Sequence, residues 1–516
     1  MSDSLDFGHL RRKVAIVAAA IDKYSHRVKE YDYKHIPYNG LRSLLKILQT
    51  LVDKARVEVL AHDHVGEDVR RRWDNVADIM VVMVELLEHC LFKKLDQQAI
   101  EKKFLKITLE QMRSLVEVGQ DWLQIGDRGY HDYATVYSFM LGDYLSMLPF
   151  MSDRKVRVMA DFIYGKVWSA RKVQAGFARL EERMYPQLLG LWSQVDQCVT
   201  KTVTITSTKE LQEDGRIVDK LRERKVEVQV IRHGTSKHFD GVFLMHCHGG
   251  SYISTSAKIH QLYLRPLARK MRGAVIVTVN YRLAPQHKYP AALQDLLDVY
   301  LAITGKCESN IASVCPRWPK LKKLVVCGDS AGASLCLALC QVLNKLAVCV
   351  PKFIALLYPN SHPDLIGDLS PSRILTLVDY IVPLSLALNA CDAYCPGGQA
   401  FNAEQEVDQD FVFFRQADQE SIHKRIAEII EKNRKDVFIN PTLKMATFKK
   451  CRLLAIGCEY DPLFDDCIGL CRSWPNHHVE LVVAAMCLHC FGRADEFGLN
   501  AFETTIQKIA AFCRHE

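Results

Sequence analysis

The sequence has no proline between Pro37 and Pro149. Proline removes a helical hydrogen bond and clashes with the preceding turn, so its absence permits long helices. Apolar residues recur in this stretch at the spacing of one helix face, as at Leu41, Leu44, Leu45, Leu48 and Leu51. Strand-like β-branched alternation begins only near Val199. We therefore predict an all-α N-terminal domain over residues 1–195.

The chain also lacks a long uncharged apolar run. The nearest, around residues 375–391, contains Asp379 and Pro383, whereas a membrane-spanning helix needs about 20 apolar residues. The first residues are polar, and the basic cluster 11–13 precedes only a short apolar stretch, which does not match a secretory leader. The 18 cysteines are then expected to be buried thiols in a reducing compartment. We predict a cytoplasmic protein.

The chain also has little excess charge of either sign. The chain has 67 Lys and Arg against 60 Asp and Glu, a net charge of +7 that is spread along 516 residues. Nucleic-acid binding requires a concentrated basic surface, so we predict no nucleic-acid partner. The length exceeds that of one ordinary hydrophobic core and indicates at least two domains.

The most informative pattern present is G-D-S-A-G at residues 328–332. It follows the apolar run 324–327 and leads into a helix-like segment from Ser334. This is the strand, sharp turn and helix of a nucleophile elbow, in which the serine hydroxyl projects beyond the sheet edge. Ser330 is the predicted nucleophile, and the Ala331 amide at the helix start is a predicted oxyanion donor.

Two further glycines follow an earlier strand. The apolar run 242–246 leads into His248, Gly249, Gly250 and Ser251. Consecutive glycines let main-chain amides approach a reacting carbonyl without side-chain obstruction. Gly249 and Gly250 are therefore the other predicted oxyanion donors.

An acid and a histidine follow two later strands. The run 452–458 ends just before Asp461, and the run 479–483 is followed after a short loop by His489. The chain order serine, acid, histidine is that of α/β-hydrolases rather than of the two serine-protease folds that use the same triad. We predict Asp461 as the orienting acid and His489 as the base.

Each assignment has rivals. Asp465 and Asp466 could replace Asp461, although only Asp461 directly ends the strand. His477 and His478 precede the last strand, which places them at the wrong edge of the sheet. Cys487–Cys490 has the spacing of a redox or metal motif, but no second cysteine pair in the sequence has this C-x-x-C spacing.

These motifs together resemble the hormone-sensitive lipase family. The resemblance rests on the residues already named, on Y-R-L-A-P at 281–285, on D-P-L at 461–463 with the two acids behind it, and on P-S-R-I-L at 371–375 and N-P at 440–441. It covers roughly residues 240–396 and 437–516. The implied catalytic domain, residues 196–516, has an α/β-hydrolase fold with a mostly parallel sheet.

The resemblance implies a serine lipase or esterase that hydrolyses lipid carboxylic esters through an acyl-enzyme on Ser330, in intracellular lipid catabolism. The expected substrates are acylglycerols and steryl or retinyl esters. No metal or organic cofactor is expected. The resemblance further implies that the helical domain covers part of the active-site mouth and mediates docking to lipid droplets or formation of a homodimer. A domain needed only for packing is the alternative.

The sequence departs from the family pattern at several positions. Ser251 replaces a third glycine, Gln286 replaces a glutamate, and Cys490 replaces the glycine that commonly follows the histidine. A regulatory insertion, long in the family, is short here at residues 397–440. Ser421 is its single Ser or Thr, so phosphorylation control is not expected.

A second functional class is a non-catalytic ligand-binding protein on a hydrolase fold. Plant hormone receptors that resemble this family have lost turnover and kept the pocket, and such proteins typically lack the catalytic histidine. Because His489 is present together with Ser330 and Asp461, the sequence favours the enzyme.

Overall fold

The computed structural model describes residues 7–93, 197–234, 239–306, 320–361, 369–398, 428–485 and 496–514, with short internal gaps, together with Cys487, His489 and scattered single residues between 99 and 186. Ser421 and Cys490 lie outside the described residues. The same holds for most of residues 94–196 and 399–427, so the domain boundaries at 195 and 397 remain predictions.

A single sheet dominates the C-terminal part of the chain. In the described residues it has the spatial order β1-β2-β4-β3-β5-β6-β7-β8. Its strands are β1 (Cys198–Leu211), β2 (Ile217–His233), β3 (Val242–Cys247), β4 (Val275–Asn280), β5 (Lys323–Asp329), β6 (Phe353–Leu357), β7 (Arg452–Cys458) and β8 (Val479–Ala484). Strands β3 to β8 pair in parallel, whereas β1 and β2 are antiparallel to their neighbours. The predicted mostly parallel α/β-hydrolase sheet is confirmed.

Helices cover both faces of this sheet. They are α4 (Gln261–Lys270), α5 (Ala291–Ile303), α6 (Ala331–Lys345), α7 (Leu384–Tyr394), α8 (Phe464–Ser473) and α9 (Glu496–Arg514). Side chains alternate along each strand, so Phe243 and Met245 join the core beneath α5 and α6, while Leu244 joins the opposite core beneath α4 and α9. Burial on both faces accounts for the nearly continuous apolar runs of the parallel strands.

The N-terminal region is helical where it is described. Its helices are α1 (Phe7–Ser25), α2 (Gly40–Ala55) and α3 (Glu67–Phe92). Asn39 caps α2 by accepting a hydrogen bond from the Arg42 amide. Met80 and Met83 are fully buried in the helical core, so this methionine-rich stretch packs as core. The same core takes in Leu369, Ile374, Leu375 and Leu377 from the C-terminal part of the chain.

Residues 428–440, counted with the insertion in the sequence, pack into the fold. Ile429 and Ile430 are buried, and the Asn433 side chain donates to the Pro396 carbonyl at 3.0 Å. None of the described helices is both long enough and apolar enough to span a membrane.

Candidate active site

Ser330 lies in a strained turn between β5 and α6. Its φ is +52° and its ψ is −121°, a conformation that residues with a side chain rarely adopt. The flanking glycines make this turn possible, because a Cβ on Gly328 would lie 2.5 Å from the Gly332 carbonyl oxygen, and one on Gly332 would overlap the Cys247 carbonyl. The Ser330 side chain is therefore presented at the carboxyl edge of the sheet, as the elbow pattern predicts.

Three predicted site residues meet at this edge. His489 Nε2 lies 3.0 Å from Ser330 Oγ, and His489 Nδ1 lies 2.8 Å from Asp461 Oδ2. A carboxylate only accepts hydrogen bonds, so Nδ1 carries the proton and Nε2 accepts from the serine hydroxyl. All three side chains are buried, which strengthens the electrostatic interactions among them.

The neighbourhood of the histidine fixes its orientation further. Asp461 Oδ1 accepts the Leu463 amide at 2.8 Å, so both carboxylate oxygens of Asp461 are engaged. The Tyr358 ring meets the imidazole of His489 edge to face, with 4.8 Å between ring centroids. The arrangement matches the geometry that serine hydrolases use to activate the hydroxyl.

The rival residues lie elsewhere. Asp465 accepts backbone amides from Gly40 and Ser372, and Asp466 forms a buried ion pair with Arg373 at 2.8 Å. His477 and His478 are exposed at the start of β8. Within the described part of the chain, no group of three or more His, Cys, Asp or Glu side chains could hold a metal ion.

The glycine loop after β3 differs from the prediction at one position. The Gly249 amide donates to Asp329 Oδ2 at 3.1 Å, so this N–H is already engaged by a carboxylate. Gly250 has a φ of +106°, and its carbonyl accepts the amides of Ile253 and Ser254. Ser251, next along the loop, has a φ of +56° and lines the cavity beside Ser330.

Asp329, the residue before Ser330, anchors a buried polar network. Its Oδ1 lies 3.1 Å from His246 Nε2 and accepts the Tyr263 hydroxyl at 3.1 Å. Its Oδ2 accepts the Gly249 amide and lies 3.2 Å from His260 Nε2. No pattern in the sequence predicts this role, because the partners come from β3, the loop after it, α4 and the turn before α4.

The charges in this network reinforce one another. Burial by itself would raise the pKa of Asp329, but the neighbouring His260 and hydrogen bonds from His246 and His260 outweigh it and hold that pKa well below its ordinary value. Burial acts to lower the pKa of His260, and the carboxylate of Asp329 reverses this and raises it. Asp329 is therefore an anion whose hydrogen bond to the glycine loop is charge-assisted.

The buried side chain of His248 also contacts the glycine loop. Burial lowers its pKa to about 3, so the ring is neutral. Its Nδ1 donates to the Gly249 carbonyl at 2.8 Å, and its ring stacks on Tyr281 with 4.0 Å between centroids. The Tyr281 hydroxyl in turn donates to the His248 carbonyl at 2.7 Å.

A cavity that opens to solvent begins at Ser330. Its walls are mostly apolar. They include Tyr252, Leu335, Ala338, Ala387, Ala390, Tyr394, Phe438 and Ile439. Tyr252 and Tyr394 stack at 4.1 Å between ring centroids and close one side. Such a space suits an apolar chain attached to a carbonyl that is held at the serine.

The sequence is similar to known ester hydrolases. Residues 244–493 match the family profile of the alpha/beta hydrolase fold. A hormone-sensitive lipase of Bos taurus is 32% identical over 151 residues, which is 29% of this chain and 19% of that protein. An esterase of Acinetobacter venetianus is 33% identical over 116 residues, 22% of this chain and 34% of that protein. The similarity to that lipase thus spans only about a fifth of the lipase's length.

Solved structures of esterases are similar as well. A fungal esterase structure from Rhizomucor miehei covers 75% of this chain and 98% of its own, with a TM-score of 0.49 and 16% identity. An esterase of Pyrobaculum calidifontis covers 67% of this chain and 93% of its own, with a TM-score of 0.48 and 20% identity.

Proposed function

We propose that this chain, whose catalytic part is an α/β-hydrolase domain similar to that of hormone-sensitive lipase, hydrolyses carboxylic esters through an acyl-enzyme on Ser330. The motif resemblance is confirmed by the relatives. The observation that carries the proposal is the pair of hydrogen bonds from His489, 3.0 Å to Ser330 and 2.8 Å to Asp461, at the mouth of an apolar cavity.

The reaction proceeds in two halves. His489 Nε2 takes the Ser330 proton as Oγ attacks the ester carbonyl, and Asp461 stabilises the imidazolium without taking its proton. The C–O bond to the alcohol then breaks as His489 protonates the leaving oxygen. Water, deprotonated by His489, attacks the acyl-enzyme and releases the acid and the free serine.

The tetrahedral oxyanion needs backbone donors. We assign the Ala331 amide, at the N-terminus of α6, and the amides of Gly250 and Ser251 on the loop beside it. Gly249 is replaced in this role, since its amide is bonded to Asp329. Each donor is worth on the order of 3 kcal/mol of transition-state stabilisation.

The substrates we propose are lipid esters, namely acylglycerols and steryl or retinyl esters. The apolar walls around Ala338 and Ala390 support an aliphatic acyl chain. The cavity assignment is tested by Ala338→Phe, which should cut hydrolysis of long-chain more than short-chain esters. Ala446→Phe, at an exposed position, is the matched control.

We further propose that the protein acts in the cytoplasm on lipid-droplet surfaces, and that it forms a homodimer.

The deciding experiment pairs a fluorophosphonate probe with a panel of esters of increasing acyl length. We expect the purified chain to be labelled and to turn over esters, and Ser330→Ala to do neither. A protein that binds ester ligands with neither labelling nor turnover would instead be a non-catalytic binding protein on this fold.

A further inference from the structure

The loop that carries Asp461 runs from the end of β7 to the start of α8. Asp461 sits in its middle, two positions after Glu459 and four before Asp465. Both flanking residues contact helix α2 of the N-terminal helical region. Residues on both sides of Asp461 therefore contact a helix that is more than 400 positions away in the chain.

The first contact is made by Ser43. Its hydroxyl is fully buried and donates to the Glu459 carbonyl at 2.5 Å. One turn further along α2, the Lys46 ammonium lies 3.4 Å from Glu459 Oε1 and 5.4 Å from the centroid of the Tyr460 ring. The side of the loop that precedes Asp461 is thus attached to α2 by a main-chain and a side-chain contact.

The second contact is made by Gly40, the first residue of α2. Its amide donates to Asp465 Oδ1 at 2.8 Å, and the amide of Ser372 donates to Oδ2 at 2.9 Å. The Ser372 hydroxyl donates to the Pro462 carbonyl at 2.9 Å, directly after Asp461. Hydrogen bonds from the start of α2 and from Ser372 therefore hold the Pro462 carbonyl and the first turn of α8, which follow Asp461.

The approach at Gly40 leaves no room for a side chain. A Cβ there would overlap the Asp465 carboxylate and the Ser372 amide nitrogen. Glycine has no advantage over alanine within a helix, so helix formation does not favour it at this position. The close contact between α2 and the loop does.

We infer that helix α2 is a positioning element for the catalytic acid, holding the loop around Asp461 through Gly40 and Ser43. The inference rests on the proposed function. The triad acid works by fixing the imidazole tautomer and orientation, and a shift of about 1 Å in such a group can cost about 100-fold in rate. The helical region then acts on the rate of the chemical step, in addition to any role at a lipid surface.

The first test compares Gly40→Ala with Gly66→Ala in the full chain. Gly66 caps α3 with a φ of −56°, and a Cβ there would meet nothing within 4 Å. We expect Gly40→Ala to lower kcat on a soluble short-chain ester about 10- to 100-fold with KM nearly unchanged. Gly66→Ala should behave like the wild type.

A second pair removes hydroxyl groups from the same helix. Ser43→Ala deletes the bond to the Glu459 carbonyl, whereas Thr50→Ala deletes a bond to the Lys46 carbonyl within α2, on the exposed side. The placement of the acid can be measured without turnover by proton NMR. The signal to follow is the far-downfield resonance expected for the proton of the His489 Nδ1–H···Asp461 bond. This resonance should shift or broaden in Gly40→Ala and Ser43→Ala, and it should stay unchanged in the controls Gly66→Ala and Thr50→Ala.

A double-mutant cycle separates positioning from packing. If α2 acts through the acid, Gly40→Ala should change kcat by no more than about twofold once Asp461→Asn is present. The inference is overturned if the kcat loss persists in full in that background, or if Gly40→Ala lowers only the melting temperature and leaves kcat and the downfield proton as in the wild type.

Failure of the proposed function has a different signature. The wild type would then neither turn over esters nor react with the fluorophosphonate at Ser330. The downfield proton would still show whether α2 controls the contact between His489 and Asp461, so the two failures are distinguishable.

Discussion

The amide of Gly249 donates a 3.1 Å hydrogen bond to the carboxylate of Asp329. This bond connects the glycine loop after β3 to the residue that directly precedes Ser330. A Cβ on Gly249 would lie 2.5 Å from the same carboxylate oxygen, so the contact requires glycine. The position of the glycine loop relative to Ser330, and with it that of the proposed oxyanion donors, therefore depends on the carboxylate of Asp329.

Asp329→Asn should lower kcat while the fold is kept. An amide in place of the carboxylate weakens the charge-assisted bond to Gly249, and with it the placement of the neighbouring donors. The loss should be about 10- to 100-fold, measured as kcat on a soluble ester and as the rate of fluorophosphonate labelling. Asp53→Asn, on the exposed side of α2, is the matched control. Equal rates for Asp329→Asn and the wild type would contradict the anchoring role.

The triad is tested by single substitutions. Ser330→Ala and His489→Ala should each reduce kcat by about a millionfold, because the two groups act as one unit, and Asp461→Asn should cost less, about 10⁴-fold. Ser473→Ala serves as the control, since this residue is exposed and its hydroxyl bonds the Leu470 carbonyl one turn away. Retention of near-normal activity by Ser330→Ala would show that the elbow does not carry the nucleophile.

Much of this site could be predicted because its signals are local. An apolar run followed by G-D-S-A-G, or by an acid within a few residues, marks a strand end, and parallel strands bring their carboxyl ends to one edge. Ser330, Asp461 and His489 were predicted in this way, and the structure places their side chains within hydrogen-bonding distance of one another. Strand β2 was not predicted, since its first half is charged around residues 219–225.

The contacts that were missed join distant segments. The bond between Gly249 and Asp329 depends on the parallel register of β3 and β5, in which Cys247 pairs with Gly328. The contact between Gly40 and Asp465 depends on how a helix packs against a loop across two cores. Neither follows from spacing in the sequence, because hydrophobic patterns specify which face is buried and not which polar atoms meet there.

The ion pair of His260 and Asp329 should give a pH-dependent contribution to stability. Folding raises the pKa of His260 above its ordinary value of 6.5. The contribution of His260 to stability is therefore complete below pH 6.5, and it is lost as the pH rises through the pKa of His260 in the folded protein. Folding lowers the pKa of Asp329 from 3.8, so the carboxylate contributes above that pH. The pair is therefore most stabilising between these two values.

His260→Gln tests this dependence, since glutamine keeps a hydrogen-bonding group and removes the charge. The difference in melting temperature between the wild type and the variant should be larger at about pH 5.5 than at about pH 9. A difference of constant size across this range would mean that the ring contributes only through packing and neutral hydrogen bonds.

Replacing parts of the segment 397–440 should have unequal effects. Residues 401–427 carry no kinase-like pattern, so a Gly/Ser linker in their place should leave hydrolysis of a small soluble ester largely intact. Replacing all of 397–440 should abolish it, because Phe438 and Ile439 line the cavity and Ile429 is part of the core. A basophilic kinase should change activity little, and several-fold activation with phosphate on Ser421 would contradict that expectation.

The last prediction concerns lipid docking by the helical region. Ile16 and Val57 are large apolar side chains that are 53% and 68% exposed, and exposed apolar surface is what a lipid interface binds. Ile16→Gln with Val57→Gln should weaken hydrolysis of emulsified lipid while sparing a soluble short-chain ester. The melting temperature should be unchanged, since substitutions at exposed positions rarely alter stability by more than about 0.5 kcal/mol. Val218→Gln with Leu443→Gln, exposed outside this region, is the matched control. If the control lowers emulsion activity equally, or if both substrates fall together, the helical region does not direct docking, and its effect on the enzyme is confined to the contacts that α2 makes with the Asp461 loop.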